Sequence, residues 1–256
     1  MLYTTDAIVL RHANYGDYDR MVTLMSPTLG RIDAIARGSR RPKSALLGAT
    51  EVFSVGQFTI NTTAERHSIT QAAISESYYD LRGDYDRLVG AMYCLSLADA
   101  AALPGQSCED IFVLLLKALA HLCYSDLPVA LLTACFEMRY MPLMGYRPRM
   151  ERCVECGKAL EGDARFDAAR GGVLCDDCGR GLPRITRGAR RIIWRAPQTD
   201  YATAPRLQGH ADWPLAARLY RPFVLERIDR RFAVTPPPIP DGDDAADNDL
   251  TPGETI

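Results

Sequence analysis

Four cysteines in the second half of the chain have the spacing of a metal site. They lie in the segments CVECG and LCDDCGR and follow the pattern C-x2-C-x18-C-x2-C: Cys153, Cys156, Cys175 and Cys178. Two residues between paired thiolates let one tight turn present both sulfurs to a single ion at about 2.3 Å. Because four thiolates complete a tetrahedral shell and leave no position for water, we expect one structural Zn²⁺ ion. Four unmetallated or redox-active thiols are the alternative.

The residues around these cysteines indicate how each pair is shaped. Gly157 and Gly179 each follow the second cysteine of a pair, where a turn needs either a positive φ or close backbone approach. The intervening segment RFDAARGGVLC is typical of a hairpin with residues 170–172 at its turn. We therefore expect a small metal-stabilised module at 151–180, in which metal binding contributes directly to folding.

A second set of residues that could do chemistry is a basic stretch near the N-terminus. The segment IARGSRRPKS (35–44) contains Arg37, Arg40, Arg41 and Lys43 and no acidic residue. Such a cluster binds a phosphate backbone by releasing counterions, without reading the bases. We expect these four side chains to contact nucleic acid, with Ser39 and Ser44 as lesser hydrogen-bond donors. A mobile, solvated loop is the alternative.

Two further groups are weaker candidates for nucleic-acid contact. Tyr15 and Tyr18 flank a turn in NYGDYD and could stack on bases, although core or turn packing is more common for tyrosine. A predicted helix from Thr186 places a row of arginines on one face, where a solvated surface is the alternative: Arg184, Arg187, Arg191 and Arg195.

The first 80 residues must position the basic loop, and their pattern is that of a small β-barrel. Five short alternating segments are separated by turn-rich pieces: DAIVLRHA, RMVTLMS, GRIDAIARG, VFSVGQFTI and HSITQAAISES. We expect residues 1–80 to form an OB-fold barrel, with an SH3-like barrel fitting almost as well. The basic stretch then follows the third strand as a loop.

After residue 80 the periodicity becomes helical. We expect a helical domain in two parts, 81–150 and an arginine-rich 181–234, interrupted by the module at 151–180. One helix has a Ser107/Asp110 start signal, and a second, from residue 126 or 127 to Leu143, has one apolar face. Asp212 is the expected N-cap of the last helix and Pro222 its expected kink or restart. The other four cysteines lack paired spacing and are expected to be small buried residues: Cys94, Cys108, Cys123 and Cys135.

The charge of the chain is divided unevenly. The net charge is only −2, yet residues 235–256 contain six acidic residues, no basic residue and five prolines. We expect this tail to be disordered, and the rest of the chain, at +4, to favour a polyanionic ligand. The tail either keeps the protein soluble or competes for that ligand's surface.

The sequence lacks the patterns of several enzyme and membrane classes. It contains no phosphate loop, no HExxH, no GxSxG and no zinc-deaminase signature, so binding is favoured over catalysis. Its longest apolar run, 111–116, is far shorter than the roughly 18 residues of a membrane helix. The N-terminus does not have the pattern of a signal peptide, and we expect a cytoplasmic protein.

The order of these motifs resembles the RecO family of bacterial recombination mediators. The resemblance lies in TDAIVLRHANYGDYDRMVTLMSPTLGRIDAIARGSRRPKS, in FEMRYMPLMGYRPRMERCVECGK and in GGVLCDDC, and it runs from about residue 4 to residue 185. It weakens in the arginine-rich C-terminal helices, and the acidic tail has no counterpart in the family.

The resemblance implies a non-enzymatic α+β protein: an N-terminal OB-fold, then a helical domain interrupted by a four-cysteine zinc module. It also implies a function in DNA repair and recombination by the recF-type route. Such a protein binds single- and double-stranded DNA, anneals complementary strands and, with RecR, loads RecA onto strands coated by single-stranded-DNA-binding protein. It also contacts the acidic C-terminal tail of that coat protein, for which Arg139 is a candidate contact, and it is nucleoid-associated during repair.

Other classes of function remain open at the level of sequence. An OB-fold protein with a zinc ribbon could act on RNA or the translation machinery, and a preference for RNA would identify it. A non-catalytic protein adaptor would have negligible affinity for nucleic acid. A hydrolase assembled across domains would show turnover.

Overall fold

The structure, a computed structural model, describes residues 1–63, 66–228 and 234–240 of the chain. The chain forms two compact units, the first taking in Met1–Ser125 and the second beginning at Asp126. Within the described residues, no helix combines the length and apolar character needed to cross a bilayer.

The first unit begins with a closed five-stranded barrel, which confirms the expected OB-fold. The strands are joined in the order β1-β2-β3-β5-β4, with β1 also pairing with β4 to close the barrel. All neighbours are antiparallel except β3 and β5, which pair in parallel through Ala34 and Ile35. The strands are β1 (Leu2–Tyr15), β2 (Asp19–Ser26), β3 (Gly30–Ala36), β4 (Val55–Thr63) and β5 (Arg66–Glu76).

Alternate residues of these strands fill the barrel. In β3, for example, Ile32, Ala34 and Ala36 are buried while Asp33 is exposed, as the two-residue period of a strand requires. The interior is packed with aliphatic side chains and one aromatic side chain, and its buried members are Ala7, Val9, Val22, Leu24, Ile32, Ala34, Ala36, Phe58, Ile60 and Ile69.

The described part of the first unit also contains a 3-10 helix (Tyr79–Gly83) and three α-helices: α1 (Leu46–Ala49), α2 (Tyr85–Ala101) and α3 (Glu109–Tyr124). Asp84 caps α2 by accepting a hydrogen bond from the Arg87 N–H at 3.0 Å. The predicted Ser107 start signal of α3 is wrong, because α3 begins after Cys108 without a side-chain cap. The Ser107 hydroxyl instead donates to the Pro27 carbonyl at 3.0 Å, which joins the α2–α3 loop to the barrel.

The second unit is built around a helix that is buried on nearly every side. In α4 (Val129–Leu143) all residues from Ala130 to Met141 are buried. The sequence predicted that only one apolar face of this helix would be buried, whereas all of its faces are. Three short strands, β6 (Ala164–Asp167), β7 (Gly172–Leu174) and β8 (Arg184–Ile185), form a sheet in the order β7-β6-β8. The other α-helices of the described residues are α5 (Arg187–Arg195), α6 (Pro205–Gln208) and α7 (Trp213–Arg227), with short 3-10 helices at Ala196–Gln198 and Tyr201–Thr203.

Two predictions about the last helix are met in part. Asp212 is the N-cap residue of α7, as predicted, but its side chain makes no capping hydrogen bond. Its carboxylate accepts a hydrogen bond from the Thr186 hydroxyl at 2.5 Å, while Thr186 caps α5 by accepting from the Ala189 N–H. Pro222 lies inside α7, which continues as one helix, so the expected restart is wrong, while the alternative, a kink, stays a prediction.

A buried ion pair joins α4 to α7 and to the start of the C-terminal segment. Arg221 Nε lies 2.8 Å from Glu137 Oε1, with the Glu137 side chain fully buried. Arg221 also donates to the Pro237 carbonyl, and Arg218 donates to the Pro240 carbonyl at 2.7 Å. The first residues of the predicted tail are therefore held against α7, whereas residues 241–256 lie outside the described residues.

We predict that Glu137→Ala lowers the free energy of unfolding of the second unit by about 3–5 kcal/mol, because it leaves the buried Arg221 guanidinium without its counter-charge. Urea titration followed by tryptophan fluorescence measures this, since both tryptophans, Trp194 and Trp213, lie in the second unit. Glu226→Ala is the control, because its ion pair with Arg227 is long, at 3.8 Å, and half exposed. Equal effects of the two substitutions would contradict the structural importance of the buried pair.

Candidate metal centre and nucleic-acid interface

The four cysteines of the double motif converge on one point. The Sγ atoms of Cys153, Cys156, Cys175 and Cys178 all lie within 4.8 Å of one another, and the Cys156–Cys175 distance is 3.9 Å. A tetrahedral ion with metal–sulfur bonds of about 2.3 Å would separate its ligands by about 3.8 Å. The sulfurs are therefore spaced to bind one metal ion, as the sequence pattern predicts.

Each cysteine pair is shaped by a tight turn that ends in glycine. The Gly157 N–H donates to the Cys153 carbonyl at 3.0 Å, and the Gly179 N–H donates to the Cys175 carbonyl at 2.8 Å. Gly157 has a φ of +73°, which a side chain would disfavour. At Gly179 the restriction is space, because a Cβ atom would lie 2.5 Å from Cβ of Arg165. The two glycines thus serve the two purposes that the sequence suggested.

The β6–β7 hairpin closes the 18-residue gap between the pairs. It turns at residues 168–171, close to the predicted position, and Cys175 directly follows β7. The Val154 N–H donates to the Val173 carbonyl at 2.9 Å, which joins the first turn to the hairpin. The buried core of this module is small, containing Cys153, Leu174 and Cys175, so a bound ion would supply much of its folding energy.

The thiols of the cluster do not share one electrostatic environment. Burial raises the pKa of Cys153, but hydrogen bonds from the backbone N–H groups of Cys156, Cys175 and Glu155 outweigh it and lower that pKa to about 6. The pKa of Cys178 is raised to about 12, mainly by hydrogen bonding to Cys175 and to a lesser degree by burial. Backbone donors thus stabilise the first thiolate, and metal binding would release the remaining protons.

The other four cysteines lie apart from this cluster. Cys94 and Cys135 are buried, as expected, while Cys108 and Cys123 are partly exposed. Burial raises the pKa of both Cys108 and Cys135, which keeps these thiols protonated. Of the residues that the structure describes, the double motif provides the one grouping suited to a metal ion.

A buried arginine that the sequence did not single out fixes α5 to the metal module. Arg190 donates from Nε to the Met150 carbonyl at 3.0 Å and from Nη2 to the Leu160 carbonyl at 2.8 Å. It also donates to the Gly162 carbonyl. Its position next to Ala189, on the apolar side of the helix, was the signal that could have separated it from the exposed arginines.

The basic loop lies between β3 and α1 and is held by hydrogen bonds to the β1–β2 hairpin. The Gly38 N–H donates to the Asp19 carboxylate at 2.7 Å, and the Arg40 N–H donates to the Tyr18 carbonyl at 2.9 Å. The Arg40 guanidinium also donates to the Gly16 carbonyl at 3.3 Å. An acidic residue distant in sequence thus supports the backbone of a loop that has no acid of its own.

These contacts bring the two candidate tyrosines to the basic loop. The Arg41 guanidinium lies over the Tyr18 ring, 5.4 Å from its centroid, in a cation–π contact. The Tyr15 and Tyr18 side chains are 57% and 50% exposed, so neither packs in the core. Arg37, Arg41 and Lys43 are exposed. The loop and the hairpin therefore form one surface of cationic and aromatic groups.

The two serines of the loop have different positions from those expected of donors to a ligand. Ser39 is fully buried, and its hydroxyl has no partner among the described residues. Ser44 is partly buried, and its hydroxyl oxygen accepts a hydrogen bond from the Leu46 N–H at 3.3 Å. Ser39 does not face the surface on which the cationic side chains lie.

The arginines of the second unit have separate environments. Arg187, Arg191 and Arg195 are exposed on α5, whereas Arg184 pairs with Asp163 at 2.7 Å. Arg139 is buried, and its guanidinium donates to the Thr199 carbonyl and hydroxyl at 3.1 and 3.0 Å. It also donates to Asp200 and Thr203 and lies over the Tyr201 ring. Because these contacts occupy it, Arg139 is unsuited to contact an external peptide. No ion pair with a helix neighbour is needed to explain its presence.

Comparisons with known proteins extend over both units. A family model described as "Recombination protein O N terminal" matches residues 1–78, and one described as "Recombination protein O C terminal" matches residues 82–233. The chain is 34% identical to the "DNA repair protein RecO" of Symbiobacterium thermophilum, over 90% of this chain and 94% of that protein. Proteins of the same name from Pelotomaculum thermopropionicum and Moorella thermoacetica are 32% and 31% identical, over 90% and 81% of this chain and 83% and 79% of theirs.

We predict that Cys178→Ser lowers bound metal from about one ion per chain to nearly none, because three thiolates do not complete a tetrahedral shell. The measurement is elemental analysis of protein purified without added chelator. Limited proteolysis should then cleave within 151–180 faster than in the parent, since the module loses folding energy. Cys123→Ser, also partly exposed but outside the cluster, should change neither quantity. Full metal content in the Cys178 variant would show that this thiol is not a ligand.

Proposed function

The chain belongs to the RecO family of DNA repair proteins, and on that basis we propose that it is a non-catalytic recombination mediator of the recF-type route. In this proposal it binds single- and double-stranded DNA and anneals complementary strands. With RecR, it helps load RecA onto strands coated by single-stranded-DNA-binding protein, and it binds the acidic C-terminal tail of that coat protein. It acts in the cytoplasm, at the nucleoid during repair.

The observation that carries this proposal is the surface formed by the basic loop and the β1–β2 hairpin. It combines cations with two exposed aromatic rings on a barrel of the OB type. Cations release counterions from phosphates whatever the sequence, and aromatic rings stack on any base. A protein that anneals arbitrary strands needs contacts of this sequence-independent kind.

We assign the backbone contacts to Arg37, Arg40, Arg41 and Lys43, with Ser44 as a lesser donor and Tyr15 and Tyr18 as stacking platforms. Lys43 adopts a left-handed backbone conformation, with a φ of +66°, which is uncommon for a residue with a side chain and recurs at functional loops. Ser39 is left out of the contact set because it is buried. Arg187, Arg191 and Arg195 remain candidates in the second unit.

We propose Zn²⁺ as the ion of the four-cysteine cluster. Soft thiolates in a tetrahedral set favour this metal, and four protein ligands leave no position for a reacting water. The ion would therefore hold the β6–β7 hairpin and the two cysteine turns together, and the protein itself would carry out no turnover.

We predict that Arg41→Glu combined with Lys43→Glu weakens binding of single strands of any base sequence to the same extent. The plot of log affinity against log salt should flatten by about 0.7 for each phosphate that is no longer neutralised. Arg40 is left intact because its side chain also supports the hairpin. Fluorescence anisotropy at low and high salt measures both effects.

The matched control for this double variant is Lys117→Glu combined with Arg180→Glu, which changes the net charge equally. Both side chains are exposed and lie away from the loop in sequence. An unchanged salt slope in the loop variant, or an equal weakening in the control, would exclude the loop as the site.

We predict that the full chain accelerates annealing of complementary DNA strands coated with single-stranded-DNA-binding protein, without consuming a nucleotide. Strand-pairing fluorescence measures this, and competition between DNA and RNA oligonucleotides tests the preference for DNA. Addition of RecR should increase RecA assembly on the coated strands. A marked RNA preference would indicate an RNA-binding protein, negligible nucleic-acid affinity an adaptor, and substrate turnover an enzyme.

A further inference from the structure

The second unit contains an arginine-lined cleft next to the metal module. Its volume is about 500 Å³, and its charged lining consists of Arg147, Arg149 and Arg152 against the single carboxylate of Glu151. The side chains of Arg147 and Arg149 have no hydrogen bond or ion pair with any residue that the structure describes. Two cations therefore face a concave surface without a counter-charge of their own.

The backbone that presents these arginines is fixed. The Arg149 N–H donates to the Gly171 carbonyl at 3.0 Å, and the Val173 N–H donates to the Arg149 carbonyl at 2.9 Å. Pro148 and Met150, which alternate with the arginines, are buried. A single β-bridge between Arg149 and Gly172 thus ties this segment to the metal-module hairpin, and Arg147 and Arg149 are exposed on either side of the buried Pro148.

An aromatic side chain lies at one end of the row. Trp194 on α5 is partly exposed and lines the cleft together with the three arginines. It also lines an adjoining cavity of about 560 Å³ with Arg187 and Arg191, whose charge is offset there by Glu151 and Glu161. Trp194 therefore lines both the cleft that contains the unpaired arginines and the cavity that contains Arg187 and Arg191 of α5.

The basic surface extends in the other direction as well. Arg147 and Arg149 also line a neighbouring cavity of about 390 Å³, together with Tyr146 and Arg227. The Tyr146 side chain is 42% exposed. The arginines are thus flanked by an aromatic ring on each side, Tyr146 in one cavity and Trp194 in the other.

We propose that this Trp194 cleft, defined by Arg147, Arg149, Arg152 and Trp194, is a second binding surface for single-stranded DNA, independent of the barrel loop. The inference rests on the proposed DNA-binding function. Arginines spaced along a segment whose backbone is held in place contact successive phosphates, and an adjacent partly exposed tryptophan stacks on an unpaired base. A duplex keeps its bases stacked inside the helix, so Trp194 selects a single strand.

A second surface gives annealing a physical basis within one chain. The barrel loop holds one strand and the Trp194 cleft holds another, and neither surface reads base sequence. The two strands are then brought together at a raised local concentration, so pairing depends on their complementarity alone.

The first test uses tryptophan fluorescence, because the chain has only two tryptophans and Trp213 is buried, at 8% exposure. Oligo(dT) should quench the emission of Trp213→Phe protein, in which Trp194 is the sole tryptophan. It should leave the emission of Trp194→Phe protein nearly unchanged. If Trp213→Phe disturbs folding, the parent protein replaces it in the test. Oligo(dT) should then quench the emission of the parent but not that of Trp194→Phe protein.

The second test is Arg147→Glu combined with Arg149→Glu, again compared with Lys117→Glu and Arg180→Glu. In a chain that already carries the Arg41→Glu and Lys43→Glu changes, it should weaken the remaining oligo(dT) binding by about tenfold or more. It should also flatten the salt dependence by about 1.4, because two phosphates are no longer neutralised. In the chain with an intact loop, it should slow annealing while leaving most of the binding.

The outcomes separate this inference from the proposed function. If oligo(dT) binds by anisotropy but Trp194 is not quenched and the arginine double variant equals its control, the Trp194 cleft is not a DNA site and the barrel loop stands alone. If no oligonucleotide binds at low salt, the proposed function itself fails. Quenching of Trp194 by an oligo-aspartate peptide, with none by oligo(dT), would also overturn the inference and assign the cleft to an acidic peptide.

Discussion

The metal module of the second unit is organised by the convergence of four thiols on a point where one ion can bind. Two turns and a hairpin must come together for the sulfurs of Cys153, Cys156, Cys175 and Cys178 to lie within 4.8 Å. The core around them is too small to fold securely without added energy. Because the same hairpin pairs with the segment at Arg149, and Arg190 joins α5 to the module, the geometry of the sulfurs also sets the positions of the exposed arginines.

The basic loop of the first unit depends on hydrogen bonds between its backbone and the β1–β2 hairpin. Its cations would repel one another and leave the loop mobile if nothing held the backbone. The Asp19 carboxylate and the Tyr18 carbonyl accept hydrogen bonds from the loop, so its chain is fixed while most of its cationic side chains stay exposed. A surface preorganised in this way loses less conformational entropy when a polyanion binds.

The arginines of this chain illustrate that residue type does not determine function by itself. Arg190, Arg139 and Arg221 are buried and satisfied by backbone carbonyls, threonine hydroxyls or a carboxylate. Arg147 and Arg149 are exposed and unpaired among the described residues. The first group stabilises the fold, whereas the second group, like the exposed arginines of the basic loop and of α5, is available to a ligand.

Local pattern was enough for the five barrel strands, the four-cysteine cluster, the hairpin between the cysteine pairs and the position of the basic loop after β3. Alternation, Cys-x2-Cys spacing and charge are properties of neighbouring residues. Ser107 does not start α3, and Asp212, although it is the N-cap residue of α7, does not cap it with its side chain, because these side chains bond to distant partners, the Pro27 carbonyl and the Thr186 hydroxyl. The burial of Ser39 and the selection of Arg147, Arg149 and Trp194 as one surface were likewise decided only in three dimensions. Burial and the meeting of residues far apart in the chain depend on how elements pack, and no local pattern contains that information.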